Sequence, residues 1–179
     1  QTQLEILGET YPEADIIIVG GIEFNKFYSH LIDYDYRLVV NPNFDTTGNA
    51  YSLMLGLNAA NSLREKFLIM KGDLYISPSV FNDLVGNTSS LLIDNKENID
   101  DSEVGCSTDP LTNNVLTISY GLKEKFGQIC YLTKKELYLL RKIFEGEISY
   151  SKYYFFELLN KILEDGGQFR SVMNKKGRI

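Results

Sequence analysis

Cysteine is scarce: the 179 residues hold two, Cys106 and Cys130. They have neither metal-ligand spacing nor the density of a disulfide scaffold, so they read as reduced thiols of a cytoplasmic protein. Histidine is scarcer still. The single His30 sits in Tyr-Ser-His-Leu-Ile, a local amphipathic pattern. A structural place and a ligand place are both open to it, and a catalytic histidine wants a partner that the sequence does not show. No apolar run approaches the ~18 residues that span a bilayer. No charged n-region precedes an apolar h-region, so neither membrane insertion nor export has support. Basic stripes of about 5–8 residues are missing as well. With 18 basic against 24 acidic residues, the net charge of −6 argues against a binder driven by nucleic-acid backbones. No internal repeat or low-complexity tract occurs.

What is present is apolar enough, at 44% hydrophobic, for one well-buried domain, and the length is too short for two ordinary ones. The chain starts at Gln1, runs straight into an amphipathic pattern and reads as an excised or processed piece. Leu4, Ile6 and Leu7 look like the end of a helix begun upstream and stopped by Gly8. Ala14–Gly21 is a β-branched run closing on two glycines, and Arg37-Leu-Val-Val-Asn41 repeats the plan with an asparagine at the tip. Phe67-Leu-Ile-Met-Lys-Gly-Asp73 is a third, whose continuous apolar residues fit a strand buried on both faces of a parallel sheet.

Thr46 to Asn49 supply capping-type residues for a helix that runs to about Lys66, with Leu53, Leu57, Ala60 and Leu63 on its apolar face. A right-handed crossover would point its amino end, with exposed N–H groups, toward the sheet edge that carries Asp73. Ser77-Pro78 opens a short helix stopped by Gly86, and Ser90–Asp94 is a buried strand. Residues 95–114 turn acidic and polar and read as an excursion or flap with weak local structure; a metal-binding acidic loop is the alternative, though the spacing is not that of an EF-hand. Val115–Tyr120 and Gln128–Leu132 are strands joined through Gly121–Gly127. Thr133–Glu136 forms a capping box for a helix burying Leu137, Leu140 and Phe144. A last helix from about Lys152 to Asp165 buries Tyr154, Phe155, Leu158, Leu159 and Ile162, and Phe169–Met173 is a terminal strand. Strands alternating with helices make an α/β sandwich.

Three strand tips therefore carry Gly20-Gly21, Asn41 and Gly72-Asp73. Ligands of open α/β sheets bind outside the carboxyl ends of strands, so Asp73 stands between two readings, a turn or capping acid and a metal ligand. Asn49 and Ser52 stand likewise between helix capping and ligand contact, and Asn41 between orienting a site and closing a turn before Pro42.

The order strand to Gly-Gly, strand to Asn41-Pro42, Gly48-Asn49-Ala50-Tyr51-Ser52-Leu53 opening a helix, then the strand to Gly72-Asp73 resembles the nucleotidylyltransferases that activate phosphorylated sugars or phosphocholine. The small cytidylyltransferase-like branch, with its "N…NNxYSL…flimxGD" progression, is the most similar. Leu91–Asp94, Leu116–Tyr120, Phe126–Cys130, Tyr154–Glu157 and Phe169–Gly177 continue the likeness over nearly the whole chain. The resemblance implies a three-layer α/β/α sandwich with a predominantly parallel mixed sheet, of the Rossmann-like nucleotide-diphospho-sugar transferase type. It implies transfer of NMP, with CMP favoured, from an NTP (CTP favoured) to a phosphorylated sugar or phosphocholine-type acceptor, with release of pyrophosphate, in cell-surface polysaccharide biosynthesis. Asp73 would be the catalytic Mg²⁺ ligand. Gly72 would admit substrate to the backbone, and Gly48, Asn49 and Ser52 would lie near the base or ribose. Tyr120, Tyr131, Tyr153 and Tyr154 are candidates both for a choline-type cation pocket and for plain core packing.

The chain also departs from the family pattern. A glycine-rich G-x-G-x-R loop that would cradle a triphosphate is absent, since Gly20-Gly21 is followed by Ile22-Glu23-Phe24. The "EID" segment with a second metal-binding aspartate would lie beyond Ile179, and Tyr120 stands where the family's "isk" lysine is expected. One domain over residues 1–179, incomplete at both ends, is the expectation, with no catalysis from this stretch alone. A free-standing inactive module for binding or assembly is the alternative. A nucleotide-sugar glycosyltransferase is more distant, because Asp73-Leu74-Tyr75 offers no Asp-x-Asp.

Overall fold

A computed structural model describes residues 2–23, 26, 35–94, 100–146 and 148–174. In chain order it has α1 (Gln3–Thr10), β1 (Ile17–Gly20), β2 (Arg37–Val40), α2 (Asn49–Ala59), β3 (Phe67–Met70), α3 (Ser79–Leu84), β4 (Ser90–Asp94), β5 (Val104–Thr108), β6 (Val115–Tyr120), β7 (Glu124–Leu132), α4 (Lys134–Gly146), a 3₁₀ turn (Ile148–Lys152), α5 (Phe155–Glu164) and β8 (Arg170–Met173). His30 and the stretches 95–99 and 175–179 lie outside the described residues.

The nine-residue β7 organises the sheet. It pairs antiparallel with β3 through Phe67↔Leu132, with β4 through Leu91↔Cys130, and with the start of β5. β4 pairs parallel with β8, and β5 antiparallel with β6. β1 and β2 form a parallel pair of their own. Alternation along the strands then builds two cores. Leu91, Ile93, Cys130 and Leu132 face α2, α4 and α5, where Leu57, Leu140, Phe155, Leu158 and Leu159 close the layer. Leu92, Ile129 and Tyr131 face the other way, onto Ile6 of α1 and Val80, Phe81 and Leu84 of α3. Helices cover both faces of a mixed sheet, the three-layer sandwich that the sequence implied.

Local chemistry moved several boundaries. α1 begins at Gln3 rather than upstream, because Thr2 and Glu5 form a reciprocal capping box, and it passes Gly8 to end at Thr10. α2 stops at Ala59, well short of Lys66: the Asn61 side chain accepts the Leu63 N–H at 3.0 Å and turns the chain out, leaving Leu63 84% exposed. β3 is half-buried, and its hydrogen-bonded neighbour is antiparallel. Within the supposed flap, Val104–Thr108 is a full strand, since pairing to β6 and a turn capped by the Asp109 carboxylate on Leu111 and Thr112 N–H groups outweigh its polar composition. The Thr133 box does not close. Its N–H goes to Ser89, and Glu136 turns inward to Ser89 Oγ at 2.7 Å and to the Gln168 N–H at 3.1 Å. α5 begins only at Phe155, and Tyr154, expected in the core, is 55% exposed.

Candidate functional site

A cleft of about 300 Å³ opens at the carboxyl end of β3. Lys71 enters it from β3, Asn49 from the head of α2, and Tyr154, Phe155 and Phe156 from the start of α5. Ser102, Glu103 and Val104 at the β5 edge, Tyr120 at the tip of β6, and Lys125, Phe126 and Gln128 of β7 complete the wall. Its position follows from the topology: β7 runs antiparallel to β3, so its amino half lies at the edge where β3 ends.

Three features of the wall are built by particular residues. Lys125 Nζ is ion-paired with Glu103 Oε1. Lys71 has no carboxylate partner among the described residues, so its ammonium is the unneutralised charge of the cleft. Gln128 lines the cleft from the left-handed region, at φ 56°, where β7 bulges against β4 between the Leu91 and Ile93 pairings. A bulge of this kind re-aims a side chain at a cost in backbone energy. The aromatic wall is ordered by ring contacts. Tyr120 meets Phe156 edge-on at 5.4 Å between centroids, and Tyr154 stacks on Phe156 at 6.2 Å with the planes 7° apart.

The residues singled out in the sequence divide among several places. Asn49 lines the cleft, and its Oδ1 accepts the Phe155 N–H at 2.6 Å, which leaves the amide NH₂ to face a ligand. Ser52 does not line the cleft. Its Oγ accepts from the buried Asn41 Nδ2 at 3.0 Å, and Asn41 Oδ1 takes the Asn43 N–H at 2.9 Å, so Asn41 is the knot between the β2 tip and α2. Gly48 is the N-cap of α2 and lies flat against the chain before α5. Its N–H donates to Ser151 O at 2.9 Å, and the Ala50 N–H to Tyr153 O at 3.2 Å. Two of the N–H groups expected to be exposed at this helix end, those of Gly48 and Ala50, are therefore already spent on the protein itself.

Gly72 and Asp73 form the turn after β3, both exposed, and neither borders the cleft that Lys71 enters. Nothing lies within 4 Å of where a Gly72 Cβ would be, so the backbone there is open to approach. Mg²⁺ demands near-octahedral oxygen ligation at close range. Among the described residues no group of three or more His, Cys, Asp or Glu could hold a metal ion. Asp73 is one exposed carboxylate, and the residues present do not make a Mg²⁺ site by themselves.

Of the four tyrosines weighed for a cation pocket, Tyr120 and Tyr154 border the cleft. Tyr131 is buried with its hydroxyl donating to Gly86 O at 3.1 Å, and Tyr153 packs edge-on against Tyr150. Lys71 and Gln128 went unnoticed in the sequence. The signal for Lys71 was period-two alternation: Phe67 and Ile69 face α2 and α5, and Lys71 continues that face. Gln128 had no such signal, because its place depends on a bulge that only the pairing with β4 creates. Both cysteines are buried, and desolvation lifts the Cys106 thiol to about 12, with Glu124 adding to it, and raises Cys130 well above the ordinary 9.0. Neither is a nucleophile at neutral pH.

Residues 3–107 match a family model described as "Domain of unknown function (DUF6564)". No curated protein matches the sequence. Solved structures are similar over nearly the whole chain. The inositol-1-phosphate CTP transferase from T. maritima superposes with a TM-score of 0.76 at 18% identity, covering 94% of this chain and 70% of that one. The CTP:phosphocholine cytidylyltransferase from Streptococcus pneumoniae gives 0.68 at 20%, over 97% and 75%. The nucleoside-diphosphate-sugar pyrophosphorylase from Vibrio cholerae RC9 gives 0.66 at 8%, over 95% and 77%. The shared feature is the nucleotidyltransferase fold, a Rossmann-like three-layer sandwich.

Proposed function

Because the chain belongs to the DUF6564 family, whose description assigns no activity, we propose a function from the fold and the cleft: nucleotidyl transfer from an NTP, with CTP favoured, to a phosphorylated sugar or phosphocholine-type acceptor. The observation that carries it is the cleft at the carboxyl end of β3, bordered by the head of α2, where a ligand of an open α/β sheet is expected. An acceptor phosphate oxygen attacks the α-phosphorus, the α-phosphorus–oxygen bond to the β-phosphate breaks, and pyrophosphate departs with that oxygen. Such a reaction asks the protein for alignment and charge compensation rather than covalent chemistry.

The residue roles follow from what each group has left to give. The Asn49 amide NH₂ donates toward base or ribose. Ser52, which does not line the cleft, would act on the nucleotide through Asn41, whose amide its oxygen holds. Gly72 lets phosphate reach the main chain, and Gly48 holds the α2 start in place against residues 151–153. Asp73, which makes no Mg²⁺ site by itself, would give its carboxylate to a Mg²⁺ ion carried in with the triphosphate, the metal supplying charge compensation. Two buried free cysteines support a cytoplasmic protein, and among the described residues no helix is long and apolar enough to cross a membrane.

The test is pyrophosphate release by the full-length protein with CTP and either phosphocholine or a sugar 1-phosphate. Turnover in the native protein and its fall by orders of magnitude in Asp73→Asn are the expected results. The lack of a carboxylate cluster among the described residues favours a second reading, a binding or assembly module that has kept the fold. That module would release no pyrophosphate in either form.

A further inference from the structure

We propose that Lys71 is the anion-holding residue of the cleft: its ammonium receives the phosphate of a monophosphate ester, whose organic part lies along Tyr120, Phe156 and Tyr154. This rests on the cleft being the acceptor site but not on any nucleotide chemistry taking place there.

Charge decides which residue does this. Two lysines border the cleft, but Lys125 is compensated by Glu103 in an ion pair whose Lys and Glu side chains are 19% and 35% exposed. A dianion brought to Lys125 would have to displace or face that carboxylate. Lys71 has no such companion among the described residues and is half-buried at the strand tip. Lysine binds phosphate as a mobile point charge with three donors, which suits a group that must accept esters of differing shape. Asn49 Nδ2 and the bulged Gln128 line the same cleft and add neutral donors. Aromatic rings make up much of the remaining lining. Tyr120 and Tyr154 are 51% and 55% exposed, and Phe156 fixes both through its two ring contacts. Such a surface takes a sugar face or a quaternary ammonium and repels neither. One unneutralised cation and a group of rings lining the same cleft of about 300 Å³ fit a small ester with a charged end and a broad end.

Binding is measured by calorimetry on the full chain without nucleotide, with phosphocholine and glucose 1-phosphate as probes and choline, glucose and inorganic phosphate as controls. At least one ester should bind the native protein, and Lys71→Met should weaken it tenfold or more while Lys71→Arg retains it. Circular dichroism and thermal melting of each variant exclude misfolding as the cause. Failure of both esters to bind the native protein, or equal binding by native and Lys71→Met proteins, overturns the proposal. Lys71-dependent ester binding without any pyrophosphate release upholds it and removes nucleotidyl transfer instead.

Discussion

Asn49 and Phe155, 106 positions apart, are joined by one hydrogen bond: the Asn49 side-chain carbonyl accepts the Phe155 N–H at 2.6 Å. The first residue of α2 thereby caps the first residue of α5, and the two helices present their amino ends to a common cleft. A single side chain thus has one end in the architecture and the other toward a ligand.

Substitution separates those two ends. Asn49→Ala strands the Phe155 donor and should cost roughly 1–3 kcal/mol, read by urea denaturation. Asn49→Asp keeps the acceptor and should leave the midpoint nearly unchanged, yet it removes the donor and should weaken nucleotide binding. Equal stability of Asn49→Ala and the native protein would remove the cap from the account.

The glycines at 48 and 72 should behave oppositely. A Gly48 Cβ would run into Tyr153 O and lie 2.8 Å from Lys152 O, both main-chain atoms that cannot swing aside. Gly48→Ala should lose at least the roughly 1–3 kcal/mol of an overpacked interior. At Gly72 nothing lies within 4 Å, so Gly72→Ala should melt with the native protein. Lost turnover in this variant would then report a clash with substrate rather than with the fold.

Glu136 is buried and accepts from Ser89 Oγ at 2.7 Å and from the Gln168 N–H at 3.1 Å. Glu136→Ala would leave buried donors without an acceptor and should destabilise by about 2–4 kcal/mol, whereas Ser89→Ala strands the Thr133 N–H but leaves the Glu136 carboxylate its Gln168 and Thr133 donors, and should cost less. Chemical denaturation of both variants orders the two effects.

The thiols set a limit at high pH. Burial raises Cys106 to about 12 and Cys130 well above 9.0. Between the unfolded value of 9.0 and the folded value near 12, the unfolded chain has lost protons that the folded chain keeps. Their contribution to stability is therefore complete below pH 9 and falls as pH rises through that window. A thiol reagent at pH 8 should label neither cysteine in the native protein and both after unfolding; prompt labelling of the native protein would contradict the packing.

The strands and the two cores were legible from apolar runs and their alternation, because each face of β4 and β7 demands its own helices. What the runs could not carry was decided by short-range polar chemistry. Thr2 with Glu5 started α1, Asn61 ended α2, and Ser89 drew Glu136 away from a capping box that the spacing alone would have closed. Asn49 was visible at a helix start. Lys71 continues the alternation of Phe67 and Ile69, but a single lysine at the end of an apolar run reads the same whether it lines a cleft or is solvated. Gln128 required the register of β7 against β4, which no local pattern encodes.

The pairing of the sheet has one more effect. Among the described residues β1 bonds only to β2, and β3 only to β7, so each has a margin of main-chain N–H and C=O groups that no described strand pairs. Such margins recruit other strands. Each is four residues long, or roughly 13 Å at ~3.3 Å per residue, enough for a foreign strand to gain a foothold but too short for it to zip far. Crowded solutions of this chain should therefore gather into small, reversible oligomers rather than fibrils.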